Sequence, residues 1–146
     1  MGMFDDHLDI SVGLRLFLQT MVALIIVTLG GISLESIGYI FGKEEFLLGQ
    51  WALIASILVI IAAMNAVNMS DGIHGLAGGT SLISFLAIFF LSHESQSDVI
   101  LIICLFCAVL PVFLINNLCI GVSLKSRIFM GDAGSMFIGL GIIWVL

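Results

Sequence analysis

Apolar and polar positions in this chain are grouped on the scale of a lipid bilayer. Uncharged stretches run from Leu16 to Leu34, Phe46 to Ser70, Gly75 to Ser92 and Val99 to Leu124. Each holds an apolar core close to the ~20 residues with which a helix crosses the hydrocarbon layer. The pattern predicts helical spans over about Leu14 to Leu29, Phe46 to Asn65, Ile73 to Leu91 and Val99 to Ile115. A fifth apolar run begins after Asp132 and reaches Leu146; at ~1.5 Å per residue it covers about 21 Å of a layer roughly 30 Å thick. The expected fold class is therefore all-α, a polytopic transmembrane helical bundle with four full spans and a truncated fifth. Residues 1–146 are expected to form one membrane domain that is the central fragment of a longer protein. Between the first two spans, GGISLESIGYIFGKEEFLLGQ has the Gly, Ser and β-branched content of a small hairpin or interfacial loop.

Composition agrees with that solvent. Of the 146 residues, 61% are hydrophobic and 10% charged, with a mean hydropathy of +1.29, far too little polar surface to cover a soluble core. The opening MGMFDDHLD lacks the basic and apolar regions of a signal peptide, and Asp6 stands where a myristoylation motif needs Ser or Thr. A net charge of −6 excludes nucleic acid as a partner held by bulk attraction. Cys104 and Cys107 form a CxxC within the fourth span. With no strand or further ligands beside it, the pair reads as buried small residues rather than as a redox or zinc site.

Counting crossings puts the N-terminus, the junction of the second and third spans and the junction of the fourth and fifth on one side. Arg15, Lys125 and Arg127 fall there and Lys43 opposite, so the excess of basic residues assigns that side to the cytoplasm. Asp5, Asp6, Asp9, Asp71 and Asp132, scattered through the sequence, all reach this face. Glu35, Glu44, Glu45, His93, Glu94 and Asp98 fall on the other and read as solvated loop groups.

Three segments carry the chemistry. In DDHLD, Asp5 and Asp6 each share a helical face with Asp9, and such like-charge neighbours repel unless a cation relieves them; the bland alternative is a solvated helix start. In MNAVNMSDGIHGLAGGT, Asn65, Asn68, Asp71 and His74 are each three apart and line one stripe while a helix lasts. Here Ser70 or Asp71 could serve only as the cap of the next span, and the Asn side chains only as interhelical glue. Gly75, Gly78 and Gly79 include a GxxxG spacing, read as structural. In FMGDAGS, Asp132 is again a candidate cap for the span it opens. Two helix starts with free backbone N–H groups beside clustered carboxylates suit an anion and a divalent metal together, as in phosphate transfer.

In this order the segments resemble the polyprenyl-phosphate N-acetylhexosamine-1-phosphate transferases, whose DDxxD, NxxNxxDGxDGL and FxGDxGS motifs compare with DDHLD, NAVNMSDGIHGL and FMGDAGS. ESIGYIFG and a later LG look most like the bacterial branch that makes undecaprenyl-diphospho-N-acetylglucosamine. The resemblance implies a UDP-N-acetylhexosamine donor, a polyprenyl phosphate acceptor, release of UMP, and a multi-pass protein of the bacterial inner membrane with a cytoplasmic active site. It implies Mg²⁺, with Mn²⁺ as an alternative, at Asp132; Asp5 and Asp6 beside the attacking phosphate, one as its base; and Asn65, Asn68, Asp71 and His74 on the nucleotide-sugar. A homodimer is also compatible with it. His74 departs from the family pattern, which has a second Asp there, and the late basic loop of the family is absent. On this reading the 146-residue chain is not expected to be catalytically competent by itself. Two alternatives remain at this stage: a transporter segment, whose polar groups would sit nearer the bilayer midplane, and a non-catalytic remnant or assembly subunit.

Overall fold

The computed structural model describes residues 11–39, 42, 44–91, 97–120 and 128–146. Asp5, Asp6, Asp9, Lys43, His93, Glu94, Lys125 and Arg127 lie outside the described residues. Five α-helices follow one another: α1 Val12–Leu29, α2 Ala52–Ser70, α3 Leu76–Leu91, α4 Ser97–Asn117 and α5 Gly131–Val145. The all-α class is as the apolar pattern predicts. Among the described residues, three stretches are long and apolar enough to cross a membrane, Val12–Leu29, Gly49–Ser70 and Asp98–Asn117. The third predicted span is shorter than expected: α3 has 16 residues, because Ile73 to Gly75 belong to a turn in which Gly75 takes φ +76°. The connector after α1 is the expected small hairpin, with Ser36 bridging Leu47 antiparallel, Ile37 N–H donating to the Phe46 carbonyl and Phe46 N–H to the Gly38 carbonyl. Phe46 to Leu48, predicted as helix, belong to this hairpin; α2 begins later and carries its polar stripe on to Ser70.

Each outer helix buries a narrow seam and leaves its other apolar residues outward, as a lipid solvent permits. On α1 the buried residues are Gln19, Ala23 and Val27; on α2, Ser56, Ile60 and Met64. Ile103, Leu110 and Asn117 repeat every seven residues along α4. Cys104 is exposed and Cys107 only partly buried, so the expectation of two buried cysteines fails: leaving lipid for the bundle interior brings an apolar side chain no hydrophobic gain. α5 is the central helix. One face joins Ala23, Val27, Ile60 and Met64 through Met136, and another joins Phe85, Ile88, Ile103 and Leu110 through Ile138 and Val145.

Two glycines let α5 reach both partners. A Cβ on Gly139 would lie 2.7 Å from the Ala63 carbonyl oxygen and 2.8 Å from the Met64 Cα, both backbone atoms of α2. A Cβ on Gly141 would meet the Phe106 ring at 2.7 Å, a ring that itself stacks on Phe85 at 4.3 Å. Of the glycines singled out in GLAGG, Gly75 and Gly78 do pack on α4, against Leu118 and against Phe113 and Leu114, while Gly79 faces open space. The close approach is thus Gly75 with Gly78, not the GxxxG pair.

Because the obstacle at Gly139 is backbone rather than a flexible side chain, Gly139→Ala must push α2 and α5 apart. Overpacking of this kind costs about 1–3 kcal/mol. The purified variant should melt several degrees lower than Gly79→Ala, which adds a methyl to open space; equal melting points would show that the α2–α5 contact is looser than described.

Candidate active site

Five helix ends converge at one end of the bundle: the start of α1, the end of α2, the start of α3, the end of α4 and the start of α5. This is the face on which counting crossings places the motif segments. Asp132 sits in the first turn of α5, and the cap position is Met130, which makes no side-chain cap bond. The expectation that Asp132 caps its helix is therefore corrected. Its carboxylate is turned across the bundle: Oδ1 accepts Asn68 Nδ2 at 2.8 Å, and Oδ2 accepts the Arg15 guanidinium at 3.3 Å. Asn68 also reaches the Ser135 Oγ at 2.9 Å.

Asp71 ends α2 as its C-cap residue and does not cap α3. Its Oδ2 accepts the backbone N–H of Gly131 at 3.1 Å, closing the start of α5 across 60 residues of sequence. Gly131 holds φ +69°, a conformation that glycine adopts without steric cost. The start of α3 is closed in the same way: Asn117 Oδ1 accepts Gly75 N–H at 2.7 Å while its Nδ2 donates to the Ile128 carbonyl at 2.9 Å. The two helix starts expected to offer free N–H groups thus have Gly75 and Gly131 occupied by side chains from elsewhere.

The predicted stripe on α2 survives with divided labour. Asn68 and Asp71 face α5, and His74, in the turn, meets Phe129 edge-on at a ring distance of 5.4 Å. Asn65 lies one turn deeper, exchanging bonds with Gln19: Asn65 Nδ2 donates to Oε1 at 2.9 Å and Gln19 Nε2 donates to Oδ1 at 3.4 Å. The structure thus brings Asn68, Asp71 and Asp132 together, places Asn65 beneath them and His74 at the edge. Sequence reasoning missed Gln19, Ser135 and Asn117, and used Arg15 only as a marker of membrane side. A signal existed for two of them. Arg15 and Gln19 are polar residues four apart at the start of an apolar span, where polar groups face the bundle interior.

Burial raises the Asp71 carboxyl above the ordinary aspartate value of 3.8, and nearby Asp132 adds to the rise; the Gly131 N–H and His74 oppose it. Among the described residues no group of three or more His, Cys, Asp or Glu side chains could form a metal cage. Asp71 and Asp132, placed about Gly131, do fit Mg²⁺, which takes one or two carboxylates and fills its remaining positions with water and substrate phosphates.

A helical membrane protein with carboxylates and amides collected at one end of its bundle is the class that fold and site define. The chain belongs to glycosyl transferase family 4, whose match covers residues 1–146. It is 40% identical over 147 aligned residues to the undecaprenyl-phosphate alpha-N-acetylglucosaminyl 1-phosphate transferase of Escherichia coli strain K12, covering 99% of this chain and 40% of that protein. The same enzyme of Haemophilus influenzae is 43% identical, with 99% and 41% covered, and that of Yersinia pestis 38% identical, with 99% and 40% covered. The chain thus spans about 40% of the length of these relatives.

The raised Asp71 carboxyl has a consequence for stability. The folded chain holds this proton more tightly than the unfolded chain, so between the ordinary value and the raised one the native state binds more protons, and stability falls as pH rises through that window. Asp71→Asn keeps an oxygen for Gly131 and removes the charge. In metal-free buffer its melting temperature should be flat across that window where the unsubstituted protein declines; parallel curves would show that the burial of Asp71 has no energetic weight.

Proposed function

We propose that this chain supplies the catalytic centre of an enzyme that transfers N-acetylglucosamine 1-phosphate from UDP-N-acetylglucosamine to undecaprenyl phosphate. UMP is released at the cytoplasmic face of the bacterial inner membrane, in the first lipid-linked step of an envelope polysaccharide. The observation that carries this reading is Asp132, held by Asn68 and Arg15 with Asp71 on the adjacent backbone, in a chain that matches the family from end to end. The relatives' name specifies both the lipid phosphate and the sugar phosphate.

In the reaction, an oxygen of the lipid phosphate attacks the phosphorus next to the sugar and the bond from that phosphorus to the UMP oxygen breaks. Asp132 and Asp71 would hold Mg²⁺, which when bound neutralises diphosphate charge. Asn68 fixes the Asp132 carboxylate from one side and Arg15 from the other, so its orientation is set before substrate arrives, the condition under which charge stabilisation acts without reorganisation. Asp5 and Asp6 are assigned to the acceptor phosphate, one taking its proton where it carries one. Asp71 and His74 face the nucleotide-sugar, with Asn65 supporting Asn68 from the turn below.

Two experiments test this. In the whole protein, Asp132→Asn keeps the Asn68 contact in outline and removes the charge. UMP release should fall by about 100-fold or more, the scale of losing one electrostatic contact to the reacting group, with folded yield near normal; retained turnover at limiting Mg²⁺ would overturn the assignment. For the membrane side, single cysteines replace Ser70, at the site end, and Ser33, in the opposite connector, in a protein whose native cysteines are removed. In intact cells an impermeant thiol reagent should label only the Ser33→Cys protein. Labelling of both or of Ser70→Cys alone would refute a cytoplasmic site.

A further inference from the structure

Beneath the acidic centre lies a second polar layer, of which the proposed chemistry uses Asn65 but not Gln19. Gln19 is fully buried and each polar atom of its amide is engaged: Oε1 accepts Asn65 Nδ2, while Nε2 donates to Asn65 Oδ1 and, at 3.7 Å, to the Met136 sulfur. Burying a primary amide among apolar helices is expensive unless it is paired. A leucine here would pack α1 on α2 without that cost, so packing alone does not explain a glutamine.

The spacing does. Each of the three helices contributes one residue to the lower layer and another, about one turn away, to the upper: Gln19 and Arg15 on α1, Asn65 and Asn68 on α2, Met136 and Asp132 on α5. Residues three or four apart lie on one helical face. Apolar contacts tolerate rotation of a helix about its axis; a reciprocal pair of amide bonds has one alignment. A one-residue slip turns a helix by about 100° and would carry Arg15 away from Asp132 while leaving α1 against the bundle.

We propose that Gln19 is a positioning residue: its amide pair with Asn65 sets the rotation of α1, and thereby seats Arg15 on Asp132. Gln19 touches no reacting group and acts through Arg15. The effect on turnover rests on the proposed function, whereas the effect on Arg15 does not, so the test reads them separately.

The test uses the whole protein, purified in detergent. The melting-temperature shift caused by Arg15→Met is measured in the unsubstituted protein and in Gln19→Met, which keeps the length of the side chain and removes the amide. With Arg15 already unseated, the shift should shrink to less than half. Equal shifts in both backgrounds, zero included, overturn the proposal and leave Gln19 as glue between helices. If Gln19→Met fails to fold because Asn65 is orphaned, Gln19→Leu with Asn65→Leu removes both partners together, and the same comparison decides. Initial rates of UMP release supply the second reading. Gln19→Met should lower kcat about tenfold with KM for the nucleotide-sugar changed less than threefold, and adding Arg15→Met should cost little more. A lost thermal coupling with unchanged kcat would keep Gln19 as the residue that seats Arg15 and refute the role proposed for Arg15 in the reaction.

Discussion

The backbone-to-backbone contact of α5 with α2 at Gly139 is the constraint on which the rest depends. In lipid there is no hydrophobic force to drive two apolar helices together, and association relies on close packing and on hydrogen bonds between helices. Gly139 supplies the first: a methyl there would come within 2.7 Å of the Ala63 carbonyl. Ser135, one turn earlier on α5, supplies part of the second through Asn68 at 2.9 Å. Only at that separation can the short Asn68 side chain reach Ser135 and Asp132 at once. The packing of small residues in mid-membrane thus fixes the geometry of a carboxylate at the membrane edge, two turns away.

The same end of the bundle shows polar residues serving two purposes. Asp71 closes the start of α5 and Asn117 closes the start of α3, so each helix start is tied to a segment remote in sequence. A local cap would satisfy the same N–H group but would leave the turn at 71–75 free to move relative to the segment at 128–130. The gain in rigidity has a cost, because a carboxylate drawn out of water beside another carboxylate binds its proton more tightly. Residues placed for chemistry commonly carry such unfavourable energy, which the surrounding packing must offset.

Much of this was legible in the sequence, for identifiable reasons. Charge-free stretches mark helices because lipid admits no other way to satisfy the backbone, and the parity of crossings then brings Asp71 and Asp132 to one end without any knowledge of packing. The errors are local. Phe46 to Leu48 and Ile73 to Gly75 are apolar or permissive enough for helix, and only the hairpin bonds and the positive φ of Gly75 exclude them. Which partner an aspartate caps is not a property of its neighbours, so the sequence points Asp71 and Asp132 to the nearest helix start, whereas both serve elsewhere. Gln19 does not stand out in the sequence, because one amide barely alters the hydropathy of a long apolar run. Its spacing from Arg15 gains meaning only once Asn65 and Asn68 are seen to repeat it across the bundle.

His74 shows how far one departure from a motif reaches. The hydrogen bonds described for Asp132 come from Arg15 and Asn68, and the contact described for Asp71 comes from Gly131. These form the frame of the site, and His74 meets the Phe129 ring edge-on beside it. A third carboxylate at that place would add to the repulsion that already contributes to raising the Asp71 carboxyl, whereas the histidine acts in the opposite sense and lowers it. Histidine at this position thus changes the electrostatics beside Asp71, while the contacts between α2 and α5 are made by other residues. The architecture of the centre is thus set by glycine packing and paired amides, while the side chain at residue 74 only adjusts the charge felt by Asp71.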